Sequence, residues 1–189
     1  VRLCSEYGRL SIAQIDLLAA QIPGLTPATI KTAAIEVGSE ANASLSLSRS
    51  IVFLIDRSSS MLSQDAGGKT RFEVCRDCIL DIFQKQLDDY DQLGLYTFEN
   101  QVRESFPLTQ KGANRQGIVA AIRTLPSPHG LTRMYDGVLE CLQRLQHSGG
   151  GHKYLVTLTD GDDNQSSQQP NGEGVTALLR AGIPGLSLI

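Results

Sequence analysis

Residues 51–60, Ile-Val-Phe-Leu-Ile-Asp-Arg-Ser-Ser-Ser, constrain the fold more than any other stretch of this chain. Five apolar residues, β-branched or aromatic except for Leu54, run without a polar interruption and stop at Asp56. A continuous apolar run of this length, closed by polar residues, reads as a strand buried on both faces. In an open parallel sheet, ligands bind just beyond the carboxyl ends of the strands. Asp56, Ser58 and Ser60 therefore stand where such a sheet places its chemistry. One carboxylate and two hydroxyls are hard oxygen donors, suited to Mg²⁺, Mn²⁺ or Ca²⁺ rather than Zn²⁺.

The residues after this strand alternate between helical and extended patterns. A helix is expected from about Thr70 to Leu87, with Phe72, Cys75, Ile79, Ile82 and Gln86 on its inner face. The acidic run Asp88-Asp89-Tyr90-Asp91 ends it and reads as a solvated loop. Leu93–Phe98 reads as a second strand, and a tight turn at Glu99-Asn100 leads into a third, Val102–Phe106, forming a hairpin. Helices are expected over Ala113–Leu125 and Met134–Gln146, separated by the breaker Pro126-Ser127-Pro128-His129-Gly130. Tyr154–Leu158 is another buried strand, and it too delivers a carboxylate, Asp160, just past its carboxyl end. A short helix over Gly174–Gly182 and a strand starting at Ile183 complete the series. The expected fold is α/β: a Rossmann-like open sheet, mostly parallel, with one antiparallel hairpin strand and helices on both faces.

Ahead of this domain, Ile12, Ile15, Leu18 and Ile22 recur at helical spacing until Pro23-Gly24 breaks the pattern. Thr26-Pro27 then opens a second helix, which Gly38 ends. Residues 1–48 are thus expected to be a helical extension, or the end of a preceding domain plus a linker, and residues 49–189 the α/β domain. The two helices do not read as a DNA-binding pair, because Arg2, Arg9 and Lys31 are outnumbered by Glu6, Asp16, Glu36 and Glu40. A net charge of −3 likewise gives no electrostatic reason to expect nucleic acid as a partner. No apolar run approaches the ~20 residues that span a bilayer. Opening at Val1 rather than Met, the chain reads as a piece of a longer protein. Residues 1–30 lack the basic start and apolar core of a secretory signal. Cys4, Cys75, Cys78 and Cys141 follow no disulfide or zinc pattern, and Cys75 and Cys78 read as core packing. Free thiols suit a reducing compartment, so the expected localisation is cytoplasmic. Asn42-Ala43-Ser44 and Asn164-Gln165-Ser166 fit the glycosylation sequon, a pattern short enough to arise by chance.

Asp56-Arg57-Ser58-Ser59-Ser60 resembles the Asp-x-Ser-x-Ser signature of von Willebrand factor type A domains. Gly130-Leu131-Thr132-Arg133-Met134-Tyr135-Asp136-Gly137 resembles the family's threonine-bearing loop, and Leu158-Thr159-Asp160-Gly161 its fourth-strand motif. The resemblance covers about residues 50–189 and implies a metal-ion-dependent adhesion site formed by Asp56, Ser58, Ser60, Thr132 and Asp160. It implies Mg²⁺ (or Mn²⁺ or Ca²⁺) as the cofactor and, as partner, a protein offering an Asp or Glu carboxylate. A role as a regulatory or scaffold domain within a larger intracellular complex is the alternative. Asp162 and Asp163 read as a solvated acidic loop, Asp136 as a first-turn charge favourable to its helix dipole, and His129 as an exposed loop residue. An enzyme is not expected. A haloacid-dehalogenase-like, Mg²⁺-dependent phosphatase needs a second aspartate two residues after the first, where this chain has Ser58, and no nucleophile stands with a base. Family members normally continue past the fifth strand with a further helix and edge strand, so the domain is expected to be truncated at its C-terminal end.

Overall fold

The apolar run at 51–55 lies at the centre of the sheet. The computed structural model describes residues 48–189 apart from 65, 150, 162 and 168–171. The helical readings before residue 48 lie outside the described residues. Arg49–Ile189 forms one compact unit. Its first strand, β1 (Arg49–Asp56), is buried at every position after Arg49. A single 3-10 turn, Ser59–Leu62, follows, and then helix α1 (Arg71–Lys85). Strands β2 (Gln92–Phe98) and β3 (Val102–Gln110) form the hairpin. Helices α2 (Lys111–Arg123) and α3 (Met134–Gln146) lead to β4 (His152–Leu158), α4 (Glu173–Ala181) and β5 (Leu186–Leu188).

The strand order is β3-β2-β1-β4-β5. β1 runs parallel to both β2 and β4, β4 runs parallel to β5, and the β2–β3 pair is antiparallel. The period of two in β1 explains the layers. Ile51, Phe53 and Ile55 face a core closed by Phe72, Ile79 and Phe83 of α1 and Ile118 and Ile122 of α2. Val52 and Leu54 face the other way, towards Cys141, Leu142 and Leu145 of α3, with Leu178 of α4 packed alongside. A strand flanked on both faces by helices has no polar side, which is why its sequence shows no alternation. After β3 the chain crosses back to place β4 on the far side of β1, so the strand order reverses at β1. The crevice at that reversal, at the carboxyl ends of β1 and β4, is where open α/β sheets bind ligands.

Several local expectations are corrected by packing. Asp91 is not a solvated loop residue: it is 2% exposed and takes the Arg49 guanidinium at 2.6 Å, the Arg49 backbone N–H at 2.9 Å and the Asp88 N–H at 2.7 Å. Gln86 is not on the inner face of α1; it is the exposed C-cap. Helix α2 starts at Lys111, two residues earlier than expected, and the Lys111 ammonium is buried. It donates to the carbonyls of Phe83 at 2.5 Å and Leu87 at 2.6 Å, satisfying acceptors at the end of α1. β3 continues through Pro107 to Gln110, which an edge strand tolerates. Cys75 is half-buried against the core, whereas Cys78 is exposed, so the core reading fails for Cys78. At the other edge, the described part of β5 is three residues long and begins later than expected, at Leu186.

Candidate functional site

The site is built from the loops that leave β1, precede α3 and leave β4. Asp56 ends β1 and is fully buried. Its Oδ1 accepts the Ser58 backbone N–H at 2.6 Å, closing an Asx-type turn. Its Oδ2 accepts the Thr159 hydroxyl at 2.6 Å, which ties the end of β1 to the end of β4. That turn brings the Ser58 and Ser60 hydroxyls to 2.9 Å from each other. Ser60 in turn donates to Oδ1 of Asp160 at 2.7 Å, and the Arg71 guanidinium pairs with Asp160 Oδ2. Three of the five expected site residues, Ser58, Ser60 and Asp160, are thus linked side chain to side chain, and Asp56 joins them through the Ser58 backbone N–H.

Thr132 is brought in by the backbone of its loop. Gly130, at φ 82°, turns its carbonyl towards the first loop, where it accepts the Ser59 N–H at 3.2 Å. Asn100 Oδ1 accepts the Leu131 N–H at 3.0 Å. Thr132 and Asn164 are bonded reciprocally: Thr132 N–H donates to Asn164 Oδ1, and the Thr132 carbonyl accepts the N–H groups of Asn164 and Gln165, all at 3.0 Å. Thr132 is 4% exposed, with the exposed Leu131 before it. The loop carrying Thr132 is therefore fastened both to the Ser58–Ser60 turn and to the segment carrying Asp160.

Asp163 is not a solvated acid. Its Oδ2 accepts the Tyr135 N–H at 2.8 Å, so it caps α3 from a different loop, and it also accepts N–H groups from Gln165 and Ser166. Asp162 lies outside the described residues. Asp136 sits in the first turn of α3, as expected, and takes the Ser167 N–H and hydroxyl as well as Arg133. Arg57 is buried and donates to the Pro126 and Ser127 carbonyls; burial pushes its pKa down. His129 is exposed on the rim, 4.0 Å from buried Glu99 and 3.3 Å from Arg57. Arg71, Thr159 and Asn164 are the site residues that sequence reasoning missed. Thr159 alone carried a usable signal, as a hydroxyl placed directly after a strand beside a carboxylate.

Chemically, this is a run of oxygens. Among the described residues, no group of three or more His, Cys, Asp and Glu side chains forms. What converges is two carboxylates with serine hydroxyls, all hard oxygen donors. The oxygen spacings of 2.9 and 2.7 Å along Ser58–Ser60–Asp160 are close to the edge of an octahedron with Mg–O bonds of 2.0–2.1 Å, about 2.9 Å. The serine hydroxyls are bonded to each other and to a carboxylate, not to an imidazole, so a serine nucleophile with a histidine base is not assembled here.

Residues 51–162 match the profile of the von Willebrand factor type A domain. Among solved structures, the chain is similar to a von Willebrand factor type A protein from Catenulispora acidiphila, with a TM-score of 0.58 and 17% identity over 75% of this chain and 32% of that one. It is similar to the conserved hypothetical protein BatB from Bacteroides thetaiotaomicron, with a TM-score of 0.57 and 18% identity over 75% and 64% of the two chains. It is also similar to the PilB minor pilin from Streptococcus sanguinis, with a TM-score of 0.52 and 23% identity over 60% and 30%. The matched region thus spans between 30% and 64% of these proteins. At such identities the likeness concerns the fold. No curated protein matches the sequence. With more than half of its residues inside the family profile and its sheet shared with these structures, the chain belongs to the von Willebrand factor type A domain family.

Proposed function

We propose that this domain is a metal-dependent protein-interaction module. Its site takes a hard divalent cation, Mg²⁺ or Mn²⁺ (or Ca²⁺), through Ser58, Ser60, Thr132 and Asp160, with Asp56 as the buried anchor beneath them. The carrying observation is the unbroken oxygen run Ser58–Ser60–Asp160, fixed from below by Asp56 and Thr159. A bound cation would supply Lewis acidity towards an anionic oxygen from outside. Two carboxylates balance a double positive charge without exceeding it, and the remaining donors are neutral hydroxyls. That balance leaves the ion able to attract an Asp or Glu carboxylate from a partner protein. Leu62 and Leu131, 49% and 48% exposed, flank the metal-ligand positions in sequence and offer apolar contact to residues beside that carboxylate. Domains of this family are generally interaction modules rather than enzymes, which supports the same reading. The minor-pilin neighbour favours adhesion as the setting.

The test is isothermal titration of Mg²⁺ and Mn²⁺ into EDTA-stripped protein, beside the Asp56→Ala and Asp160→Asn variants, with circular dichroism to check the fold. The parent is expected to bind saturably, and folded variants to lose that binding. If the parent shows no saturable binding, even with acetate present to complete the coordination shell, the metal reading falls. If both variants bind like the parent, the assigned residues are wrong.

A further inference from the structure

Arg71 is the first residue of α1, where a positive charge opposes the helix dipole. The helix end does not need it, because Thr70 and Glu73 already close that end with a capping box. The backbone nevertheless fixes Arg71 beside the site. Its N–H donates to the Ser63 carbonyl at 3.0 Å, and Gln64 pairs with Thr70, so the loop that begins just after Ser60 is drawn closed at Arg71. From there the guanidinium crosses to Asp160 Oδ2, while Asp160 Oδ1 takes the Ser60 hydroxyl. The Asp160 side chain is 11% exposed and that of Arg71 52%. Asp56 differs, being satisfied by the neutral donors Ser58 N–H and Thr159 hydroxyl. Of the two site carboxylates, Asp160 is the one whose charge is balanced by a half-exposed cation.

We propose that Arg71 is a built-in counter-cation that competes with the divalent ion for Asp160 and so sets how tightly the site holds metal. This rests on the metal reading above and adds its regulation. In the metal-free protein, Arg71 neutralises Asp160 and keeps the loops after β1 and β4 together. A divalent ion must displace the guanidinium or bind against its repulsion, and either route weakens the affinity. Once displaced, Arg71 stands on the rim, where a partner's carboxylate arrives.

The test is calorimetric titration of Mg²⁺ and Mn²⁺ into the parent, Arg71→Gln and, as a control for general charge, Lys69→Gln, whose ammonium pairs with Asp77. Arg71→Gln is expected to bind about two- to fivefold more tightly, the scale of one partly exposed ion pair. Lys69→Gln is expected to match the parent. Equal or weaker binding by Arg71→Gln, with saturable binding in the parent, overturns the counter-cation role and leaves the metal site standing. An equal gain in both variants also overturns it, since the effect would then be one of net charge alone. Absence of saturable binding in all three proteins would instead remove the metal reading itself, and this inference with it.

Discussion

At Asp56 one carboxylate is removed from water yet fully satisfied, by a backbone N–H on one oxygen and a hydroxyl on the other. Removing it orphans the buried Ser58 N–H, while the Thr159 hydroxyl keeps the Gly161 carbonyl at 3.3 Å, so Asp56→Ala is expected to cost about 1–3 kcal/mol of stability in addition to metal binding. Asp160 is nearer the surface, and Asp160→Asn keeps its shape, so that variant isolates the loss of charge. Gly130 makes a different contribution. Its φ of 82° lies in the left-handed region, and a Cβ there would meet the Asn100 side-chain amide at 2.9 Å. Asn100 is the group that holds Leu131, the residue before Thr132. Gly130→Ala is therefore expected to destabilise the domain by about 1–2 kcal/mol. It should also weaken Mg²⁺ binding, because the Thr132 loop loses its tether. Thermal unfolding and calorimetry on the same sample check both effects; a variant as stable as the parent with unchanged affinity would show that the loop is not held at this point. Asp56, Ser58, Ser60 and Asp160 could be read from the sequence because each lies within a few residues of a strand's carboxyl end. Arg71 could not, since it is 89 residues from its partner and occupies a helix end where local rules disfavour a cation.

Among the elements, the strands and helices were legible by type because their periodicities are undisturbed, and β1 by its length alone. The bounds of α3, Met134–Gln146, match the expectation although its cap is distant; what was legible only locally is the capping partner. Thr70 begins α1 through its own neighbour Glu73, whereas α3 is capped by Asp163, 28 residues from the Tyr135 N–H it accepts. Asp163 therefore looked like one more acid in a polar loop. Asp91 was hidden for the same reason, its partner Arg49 being 42 residues away. The local cap supports a pH prediction. Hydrogen bonds from the Thr70 N–H, then its hydroxyl, hold the Glu73 pKa below its ordinary value of 4.5. A carboxylate depressed in the folded state contributes stability above its unfolded pKa, and that contribution disappears as pH falls through the folded value. The stability gap between the parent and Glu73→Gln is thus expected to be largest near neutrality and to shrink as pH drops below 4.5. Urea unfolding of both proteins at neutral pH and in acid measures it; a constant gap would show that the charge plays no part in the cap. Thr70→Ala, which removes the hydroxyl, is expected to cost about 1 kcal/mol at neutral pH.

For the whole domain, the consequence of the topology is that the site residues come from both sides of the β1 crossover. Ser58 and Ser60 follow the central strand, Thr132 precedes a helix of one face, and Asp160 follows the strand placed across the reversal. The alternation of strands and helices with one hairpin was legible in the sequence; the strand order that produces the convergence comes from the structure. The stitching that makes it rigid was not legible, because Ser59–Gly130 and Thr132–Asn164 are contacts between loops with no periodic pattern. A ligand bound to such a junction favours the folded chain, because unfolding separates its donors. At a free Mg²⁺ concentration 100 times the Kd, the stabilisation is about 2.7 kcal/mol. For a chain of this size that corresponds to a rise in Tm of roughly 5–10 °C. The EDTA-stripped protein is expected to show this rise on adding MgCl₂, but not on adding NaCl at the same ionic strength, and Asp160→Asn is expected to show it in neither. A rise of equal size in NaCl would assign the effect to screening of acidic loops rather than to a cation held at the reversal. A rise retained in Asp160→Asn would move the cation to other ligands.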